Sequence, residues 1–445
     1  MFGQQLWRFN SINTAQEKVA KSVQQFKTVH LDLVHFDAIL QNTPIETPRA
    51  NIAYQRIDLP LPDATLAAFN IVEVETMEAA LAQKYPHFKT YRGYAINKPS
   101  TSVRLTRTNQ GIEAAIFDAS GDSFIRSLSK KSNCIVYYSK HETGGSFPND
   151  WSDFTENIQG HHHHHTNTTT KAAVDLRILR AAIATTGEYT DERGGGVENG
   201  LASVVSLVNT LNGVYERDLA IRLMLVENND QIIYGDPNSD PYSRDAFSML
   251  AQNQENLDNV IGRGNYDIGH ILGFDISGGV AGVASFVGNF CTTQNAGGVS
   301  GFFGNQTRFV RTVAHEMGHQ LGADHTWNNC GDDLNQSQRS PSTAMEPGSG
   351  NTIMSYAGSC GENNVRTISD QFFHGISIRQ VNAALNNNRQ CYSVIPTGNS
   401  LPEVTIDMPN GFSIPIQTPF ELSATASDPD GDKLTYSWEQ FDTDT

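Results

Sequence analysis

The sequence has no long apolar run and is short of basic residues. No stretch of about eighteen apolar residues occurs in the 445-residue chain, so we expect no membrane-spanning helix. The start, MFGQQLWRFNSINTAQEKVAKS, contains no apolar segment of the kind that marks a secretory signal peptide. Aspartate and glutamate number 48 against 31 lysines and arginines, and the formal charge of −17 argues against nucleic acid and anionic membrane surfaces as partners.

Cysteine is also scarce. Cys134, Cys291, Cys330, Cys360 and Cys391 are widely spaced, and no two of them form a CxxC pair. This spacing excludes a zinc ribbon and is compatible with two disulfides and one remaining thiol. The last four cysteines allow three different pairings, and their spacing alone does not choose among these pairings.

Composition and periodicity divide the chain into three predicted domains and two linkers. Residues 1–145 combine a polar helical start, NTAQEKVAKSVQQFKTV, with alternating apolar and polar runs, which predicts an α+β domain. Residues 146–171 are rich in Gly, Asn, Thr and His, as is typical of a linker. In residues 172–395 helices alternate with strands, which favours an α/β layer architecture. A second linker at 396–402 precedes short predicted strands in 403–445, the start of an all-β domain.

The stretch HEMGHQLGADH concentrates side chains that bind metals. His315 and His319 are four residues apart on a predicted helix, so both imidazoles project from one face. Gly322 can adopt a positive φ and end that helix, which lets His325 supply a third nitrogen. Three protein nitrogens leave the fourth position of a tetrahedral zinc open for water, the catalytic arrangement. Glu316 is then the predicted general base, taking a proton from the zinc-activated water as it attacks a carbonyl.

Two other stretches are weaker candidates for metal binding. The five consecutive histidines at 161–165 cannot all converge on one ion, and their Gly, Thr and Asn neighbours are typical of a tag or a flexible tract. In DPDGDK, Asp428, Asp430 and Asp432 place carboxylates at alternate positions, which suits calcium. Lys433 stands where an EF-hand loop has glycine, so a calcium site and a solvated acidic turn both remain open.

The HExxHxxGxxH motif resembles that of the metzincins, a superfamily of zinc endopeptidases in which a Met-turn follows the histidines. Met354, in NTIMSYAG, matches the methionine that forms the hydrophobic floor under the zinc in that family. VNTLNGVYERDLAIRLMLV, NYDIGHILG and GGVAGVASFV make residues 172–395 similar to bacterial reprolysin (adamalysin)-like proteases. The resemblance implies a twisted five-stranded mixed sheet, two long helices and a zinc cleft. Residues 1–145 resemble the prodomain of such proteases, and SATASDPDGDKLTYSWEQ resembles the first half of a PKD-type or cadherin-like β-sandwich.

The resemblance also implies roles for residues outside the histidine motif. It pairs Cys330 with Cys360 and Cys291 with Cys391, leaving Cys134 as a thiol that either holds the proenzyme latent by binding zinc or is simply buried. It further implies that one stretch is an edge strand that contacts substrate; the alternative is that the same stretch is an interior strand without that role. The residues of the stretch are Gly278, Gly279, Val280, Ala281 and Gly282.

Two residues depart from the adamalysin pattern. Thr326 follows the third histidine, where adamalysins usually have aspartate. Tyr356 stands two residues after Met354, as in astacins and serralysins, where that tyrosine can approach the zinc. Tyr356 is therefore a candidate oxyanion donor or transient fifth ligand, with a purely structural hydroxyl as the alternative.

We therefore expect a secreted, monomeric zinc endopeptidase that is made as a proenzyme and cleaves protein or peptide substrates. Zinc is the expected cofactor, and calcium is a second candidate ion. Alternatives are a degenerate metzincin that acts as a binding or adhesion module, and a metzincin of the pappalysin, serralysin or astacin type. A zinc hydrolase of small amides, and a different peptidase clan with Glu346 in place of His325, also remain open.

Overall fold

The structure is a computed structural model that describes residues 6–47, 53–143, 174–331, 336–387, 391–406 and 413–443. The described residues up to 143, called the N-terminal unit below, are built around one antiparallel sheet with the strand order β1-β2-β9-β8-β7-β6-β5-β4-β3. Neighbours in the sheet are mostly neighbours in the chain, because short turns join antiparallel strands. The elements are β1 Trp7–Phe9, α1 Lys18–Lys21, β2 Lys27–Leu31, α2 Leu33–Gln41, β3 Gln55–Pro60, β4 Leu66–Val74, α3 Ala79–Lys84, β5 Lys89–Ala95, β6 Lys98–Thr108, β7 Gly111–Phe117, β8 Ser123–Ser127 and β9 Asn133–Tyr138.

The N-terminal unit contains less helix than the sequence predicts. The polar helical start is wrong over most of its length, because α1 has only four residues and β2 already begins at Lys27. In β2, Val29 and Leu31 are buried while the residues between them are not fully covered. This period of two places the two apolar side chains on the core face of a strand, and it outweighs the helix propensity of the preceding residues.

Residues 174–395, called the central unit below, form a mixed sheet covered by helices. The strand order is β11-β10-β12-β14-β13, and β15 pairs with β10 as a sixth strand, so the expected five-stranded sheet is extended by one. The pairs β10–β11, β10–β12 and β12–β14 are parallel, whereas β13 is antiparallel to β14. The elements are β10 Leu176–Thr185, α4 Gly187–Glu192, α5 Val197–Leu219, β11 Ile221–Leu225, α6 Ala246–Val260, β12 Ile268–Phe274, β13 Gly282–Ala284, β14 Gly298–Phe302, α7 Gln306–Gln320, α8 Gly375–Asn386 and β15 Ser393–Ile395.

Helix α5 lies between the two sheets and is buried around most of its circumference. On one side Asn209 donates a hydrogen bond to the Leu105 carbonyl of β6 at 3.0 Å. On the other side Asn212 exchanges hydrogen bonds with the main chain of Leu223 in β11, at 2.8 and 3.0 Å. Both asparagines are fully buried, and their amide N–H groups find acceptors inside the core. The two units therefore share one hydrophobic core around α5.

The remaining predictions of domain organisation fall on the linkers and the tail. The first predicted linker, 146–171, lies outside the described residues, and the proposed domain boundaries remain predictions. In the tail, β16 Glu403–Ile406 pairs antiparallel with β17 Ala424–Ser427. The prediction of short strands in 403–445 is wrong for KLTYSWEQ, since residues 433–440 are described and contain no strand. Among the described helices, none has both the length and the apolar character needed to cross a bilayer.

Candidate metal centre

Helix α7 carries the first part of the histidine motif. Its first turn is capped by the Asn305 side chain, which accepts a hydrogen bond from the main-chain N–H of Arg308 at 2.9 Å. Four apolar side chains of α7 pack into the shared core, so the rotation of the helix about its axis is fixed and the histidine face points toward the metal site. These side chains are Phe309, Val310, Val313 and Met317. Gly322 has a φ of +111° and directly follows the C-cap residue, so the chain turns back toward the helix at the predicted position.

The three histidines of the motif meet at one point. The Nε2 atom of His319 lies 3.1 Å from Nε2 of His315 and 3.1 Å from Nε2 of His325. Two nitrogens that each bind zinc at about 2.0–2.1 Å with a tetrahedral angle are about 3.3 Å apart. Within the described residues this trio is the one cluster of three or more metal-ligating side chains. Its spacing and its neutral nitrogen donors fit zinc.

Main-chain carbonyls orient all three imidazoles. Each Nδ1 lies 2.7 Å from a carbonyl oxygen, and because a carbonyl can only accept, each Nδ1 carries the ring hydrogen. Each Nε2 lone pair is thereby left to face the common point, the arrangement found around histidine ligands of metals. The pairs are His315 with Ile353, His319 with Ala323, and His325 with Gln338.

Glu316 lies beside the histidines and against the edge strand of the mixed sheet. Its side chain is buried, and a methyl group on Gly282 would lie 2.4 Å from its Oε1 atom. The carboxylate therefore occupies space that any other residue at position 282 would fill. This contact explains why a glycine begins β13, next to the residue predicted to act as base.

The Met-turn candidate lies under the histidines. Met354 is fully buried, and its sulfur would be 2.6 Å from a methyl group on Gly318, which lies between two of the histidines in α7. The Met354 carbonyl accepts the main-chain N–H of Thr326 at 3.1 Å, so the turn also contacts the residue after His325. The position agrees with the hydrophobic floor that the resemblance implies.

Tyr356 stands at the side of the trio. Its ring centroid is 4.8 Å from that of His325 and 6.2 Å from that of His315. The ring stacks on Trp327 at 4.9 Å, and both aromatic rings are buried. This packing holds the tyrosine near two of the predicted ligands, while its role in the reaction remains a prediction.

Glu346 connects the third histidine to the Met-turn, a role that sequence reasoning missed. Its carboxylate accepts hydrogen bonds from the hydroxyl of Thr326, from the hydroxyl of Thr352 at 2.6 Å, and from the main-chain N–H groups of Asn351 and Thr352 at 2.7 and 3.0 Å. Its own N–H donates to the Thr326 carbonyl at 2.8 Å. The zinc-fitting cluster consists of histidines alone, so Glu346 supports the site rather than replacing His325.

A buried histidine that is not a candidate ligand fixes α7 against the sheet. His270 in β12 lies 3.0 Å from the Gln320 side chain and 2.9 Å from the Ser300 hydroxyl, and Gln320 also donates to the Gly269 carbonyl at 2.9 Å. Burial lowers the pKa of His270 to about 4, although the hydrogen bond to Gln320 opposes this shift. His270 is therefore neutral near pH 7, as expected for a packed core histidine.

The predicted substrate strand is shorter than expected. Gly278 and Gly279 have φ angles of +107° and +75° and belong to a turn, and β13 starts only at Gly282. Positive φ angles are incompatible with an extended strand, so the expected strand conformation is wrong for the two glycines. Contact of these residues with substrate remains a prediction. Val280 and Ala281 are buried between the turn and the strand. Among the described strands β13 lies at an end of the mixed sheet, which agrees with the expected edge position of Gly282.

The cysteines pair as the resemblance implies. Disulfides join Cys291 to Cys391 and Cys330 to Cys360. The Cys134 thiol is fully buried in a hydrophobic core that belongs to the N-terminal unit alone and is separate from the core around α5. It lies 3.7 Å from the Ser127 hydroxyl, and burial raises its pKa to about 12. A buried, protonated thiol is a poor zinc ligand, so the structure favours the incidental cysteine over the latency switch.

The structure does not support a calcium site in the tail. Asp428 and Asp430 accept hydrogen bonds from nearby main-chain N–H groups, and DPDGDK forms an exposed turn. No metal-ligating cluster occurs at this turn, although it belongs to the described part of the tail. The Asp428 carboxylate therefore accepts from N–H groups within the turn, and the Asp430 carboxylate accepts from the N–H of Ser400 in the preceding segment.

Comparison with known proteins gives a family for the central unit. Residues 175–384 match the family model described as metallo-peptidase family M12B, reprolysin-like. Among solved structures, the chain is similar to metalloproteinase-II from Bacteroides fragilis, with a TM-score of 0.45, 13% identity, and coverage of 78% of this chain and 94% of that one. A chaperone–substrate complex matches with a TM-score of 0.28, 12% identity, and coverage of 63% and 38%. The family match and the histidine trio agree: residues 175–384 form a reprolysin-like M12B metallopeptidase domain, a zinc-dependent type of peptidase.

Proposed function

We propose that the chain is a secreted zinc-dependent endopeptidase, made as a proenzyme, in which Glu316 is the general base for hydrolysis of peptide bonds. The observation that carries the proposal is the convergence of three Nε2 atoms at 3.1 Å spacings beside the Glu316 carboxylate. A module that only binds proteins has no use for a buried carboxylate next to a zinc-fitting trio.

The residues of the site divide the chemistry among them. His315, His319 and His325 would hold zinc, which when bound supplies a Lewis acid that polarises the carbonyl and activates a water molecule. Glu316 takes the proton of that water and later delivers it to the leaving amine. Its contact with Gly282 keeps the carboxylate in one place. The Tyr356 hydroxyl is the proposed donor to the developing oxyanion.

Substrate would lie along β13 as an added strand. Ala281 and Ser285 flank β13 and face β14 and the residue before it: Gly301 N–H donates to the Ala281 carbonyl, and Ser285 N–H donates to the Gly297 carbonyl. Because hydrogen bonding alternates along an antiparallel strand, the main-chain groups of Gly282 and Ala284 point away from β14. A peptide that pairs with them would pass directly in front of Glu316.

Burial of the site supports the proenzyme part of the proposal. In the full chain the exposed fractions of His315, Glu316, His319 and His325 are 2%, 1%, 0% and 2%. Side chains this buried leave little surface for a substrate, so we expect the full chain to be inactive until it is cut. Two disulfides favour an oxidising compartment and thus support secretion.

The test is a casein or gelatin assay on the purified chain before and after limited proteolysis, with metal analysis of each sample. We expect bound zinc in both forms and activity only after cleavage, with the new N-terminus within about 142–172. Glu316→Ala should keep zinc and lose activity. If the cleaved protein holds zinc but hydrolyses neither casein nor gelatin, the proposed endopeptidase function is refuted.

A further inference from the structure

Glu142, at the end of the N-terminal unit, contacts the start of the helix that carries the first two zinc ligands. Its carboxylate accepts hydrogen bonds from the main-chain N–H groups of Gln306 and Thr307 at 2.8 and 3.0 Å and from the Thr307 hydroxyl at 2.6 Å. Its carbonyl accepts from the Asn305 side chain at 2.9 Å. The N–H groups of a first helical turn have no partner within the helix, and the helix dipole favours a negative charge there. Glu142, which is 1% exposed, supplies that charge from the other unit.

A chain of alternating charges crosses the same interface. Arg104 of the N-terminal unit pairs with Glu216 of α5 at 2.7 Å, and Glu46 pairs with Arg222 of β11 at 2.7 Å. Arg222 also contacts Glu216, at 2.5 Å, which joins the pairs. Burial would raise the pKa of Glu216, but the two guanidinium groups lower it to about 2, so the carboxylate stays ionised. Separating the units breaks both pairs between them at once.

The N-terminal unit also covers a strand edge and part of the core of the central unit. The main-chain N–H of Leu225 in β11 donates to Thr76 at 2.9 Å, and its carbonyl accepts from Glu78 at 2.8 Å. Without these residues the outer edge of β11 would be open, and open edges promote aggregation. The N-terminal unit also contributes a set of apolar side chains to the core around α5: Val23, Met77, Leu81, Phe88, Ala115, Phe117, Phe124, Leu128, Ile135 and Tyr137.

From these contacts we propose that the N-terminal unit is a permanent partner of the central unit, fastened to the start of α7 by Glu142. Cutting the chain between residues 143 and 174 leaves it bound, so the matured enzyme is a complex of two chains. Activation then results from the cut in the chain and does not require the N-terminal unit to leave. Glu142 stays on the N-terminal side of such a cut and keeps its contacts with α7. The maturation step rests on the proposed function, whereas the docking of the two units does not.

The docking is tested in the full chain with Glu316→Ala, which prevents self-cleavage, and with a site for a specific protease in place of residues 161–165. After cleavage we expect two bands on a denaturing gel but one peak of the full mass in size-exclusion chromatography at about 1 µM protein. Two separate peaks would overturn the proposal. Because no activity is measured, a failure of the endopeptidase proposal leaves this result unaffected.

The role of Glu142 is tested by Glu142→Gln in the same chain, with Glu75→Gln as the control at an exposed glutamate of the same unit. We expect Glu142→Gln to speed hydrogen exchange at the Gln306 and Thr307 amides at least about tenfold and to increase the released fraction of the N-terminal unit. Thr307→Val, which removes one of the donors to Glu142, should act in the same direction with a smaller effect. Identical exchange and release in Glu142→Gln, Thr307→Val and the control would show that Glu142 does not fasten the units.

Discussion

Replacing Glu346 with alanine should loosen the zinc site without removing a ligand. The change deletes the acceptor of four hydrogen bonds, and the N–H groups of the part-buried Asn351 and the buried Thr352 lose that partner. A hydrogen bond to a charged group contributes about 1.5–3 kcal/mol, and losses that share one acceptor are not additive. We therefore expect the free energy of unfolding to fall by about 4 kcal/mol. Zinc affinity should fall between about 10-fold and 100-fold, the range typical of groups that support ligands.

The assay is a chelator titration of the zinc-loaded chain, with unfolding followed by circular dichroism. Glu346→Gln is the graded variant, because its amide oxygen can still accept the two N–H groups while its NH₂ group faces the hydroxyls, and about 1–2 kcal/mol should be lost. Glu362→Ala, at an exposed glutamate of the same loop region, is the control and should change neither property. Unchanged zinc affinity and stability in Glu346→Ala would refute the supporting role.

The same experiment distinguishes support from ligation. If Glu346 were a ligand in place of His325, Glu346→Gln would abolish zinc binding and His325→Ala would spare it. The structure predicts the opposite order, because the three nitrogens converge without a carboxylate among them. Zinc retained by His325→Ala and lost by Glu346→Gln would assign the chain to the other peptidase clan.

Two further predictions concern the base and the core. Gly282→Ala places a methyl group 2.4 Å from Glu316 Oε1, so kcat/KM should fall at least about 100-fold with zinc content unchanged, because the catalytic carboxylate is displaced. Gly264→Ala, with open space around it, is the control. Full activity in Gly282→Ala would contradict the assignment of Glu316 as the base. His270, with a folded pKa of about 4, takes up its proton in the unfolded chain below about pH 6.5, so unfolding free energy should fall by up to about 3 kcal/mol between pH 6.5 and 4. Urea unfolding across this range should be less pH-dependent in His270→Gln, and an equal slope in both proteins would contradict the burial argument.

The features predicted correctly from the sequence are those that local spacing determines. The four-residue separation of His315 and His319 places both on one helix face whatever the rest of the fold does. Gly322 marks the helix end because few other residues adopt its φ of +111°. The alternation of helices and strands in residues 172–395 was likewise predictable, since α5 and α6 each have enough turns for the apolar pattern to repeat.

The features that the sequence did not predict depend on partners far away in the chain. Glu142 caps a helix that begins more than 160 residues later, and no local pattern marks it as a cap. The four-residue helix α1 shows the opposite error, because polar helix-forming residues there continue into a strand whose alternate side chains find a core. The sixth strand, β15, is short and pairs with β10 across the whole central unit, so its register comes from tertiary contacts alone.

Thr326 shows how a departure from a family pattern can be understood in the structure. Its N–H donates to the Met354 carbonyl at 3.1 Å and its carbonyl accepts from Glu346 at 2.8 Å, so main-chain contacts hold position 326 on both sides. Neither contact depends on the side chain at 326. The threonine hydroxyl adds a third contact by donating to the Glu346 carboxylate. Glu346 thus places a carboxylate next to residue 326, the position where adamalysins usually have the carboxylate of an aspartate. Because the next residue is fixed in this way, His325 can present Nε2 to the other two histidines in a single orientation.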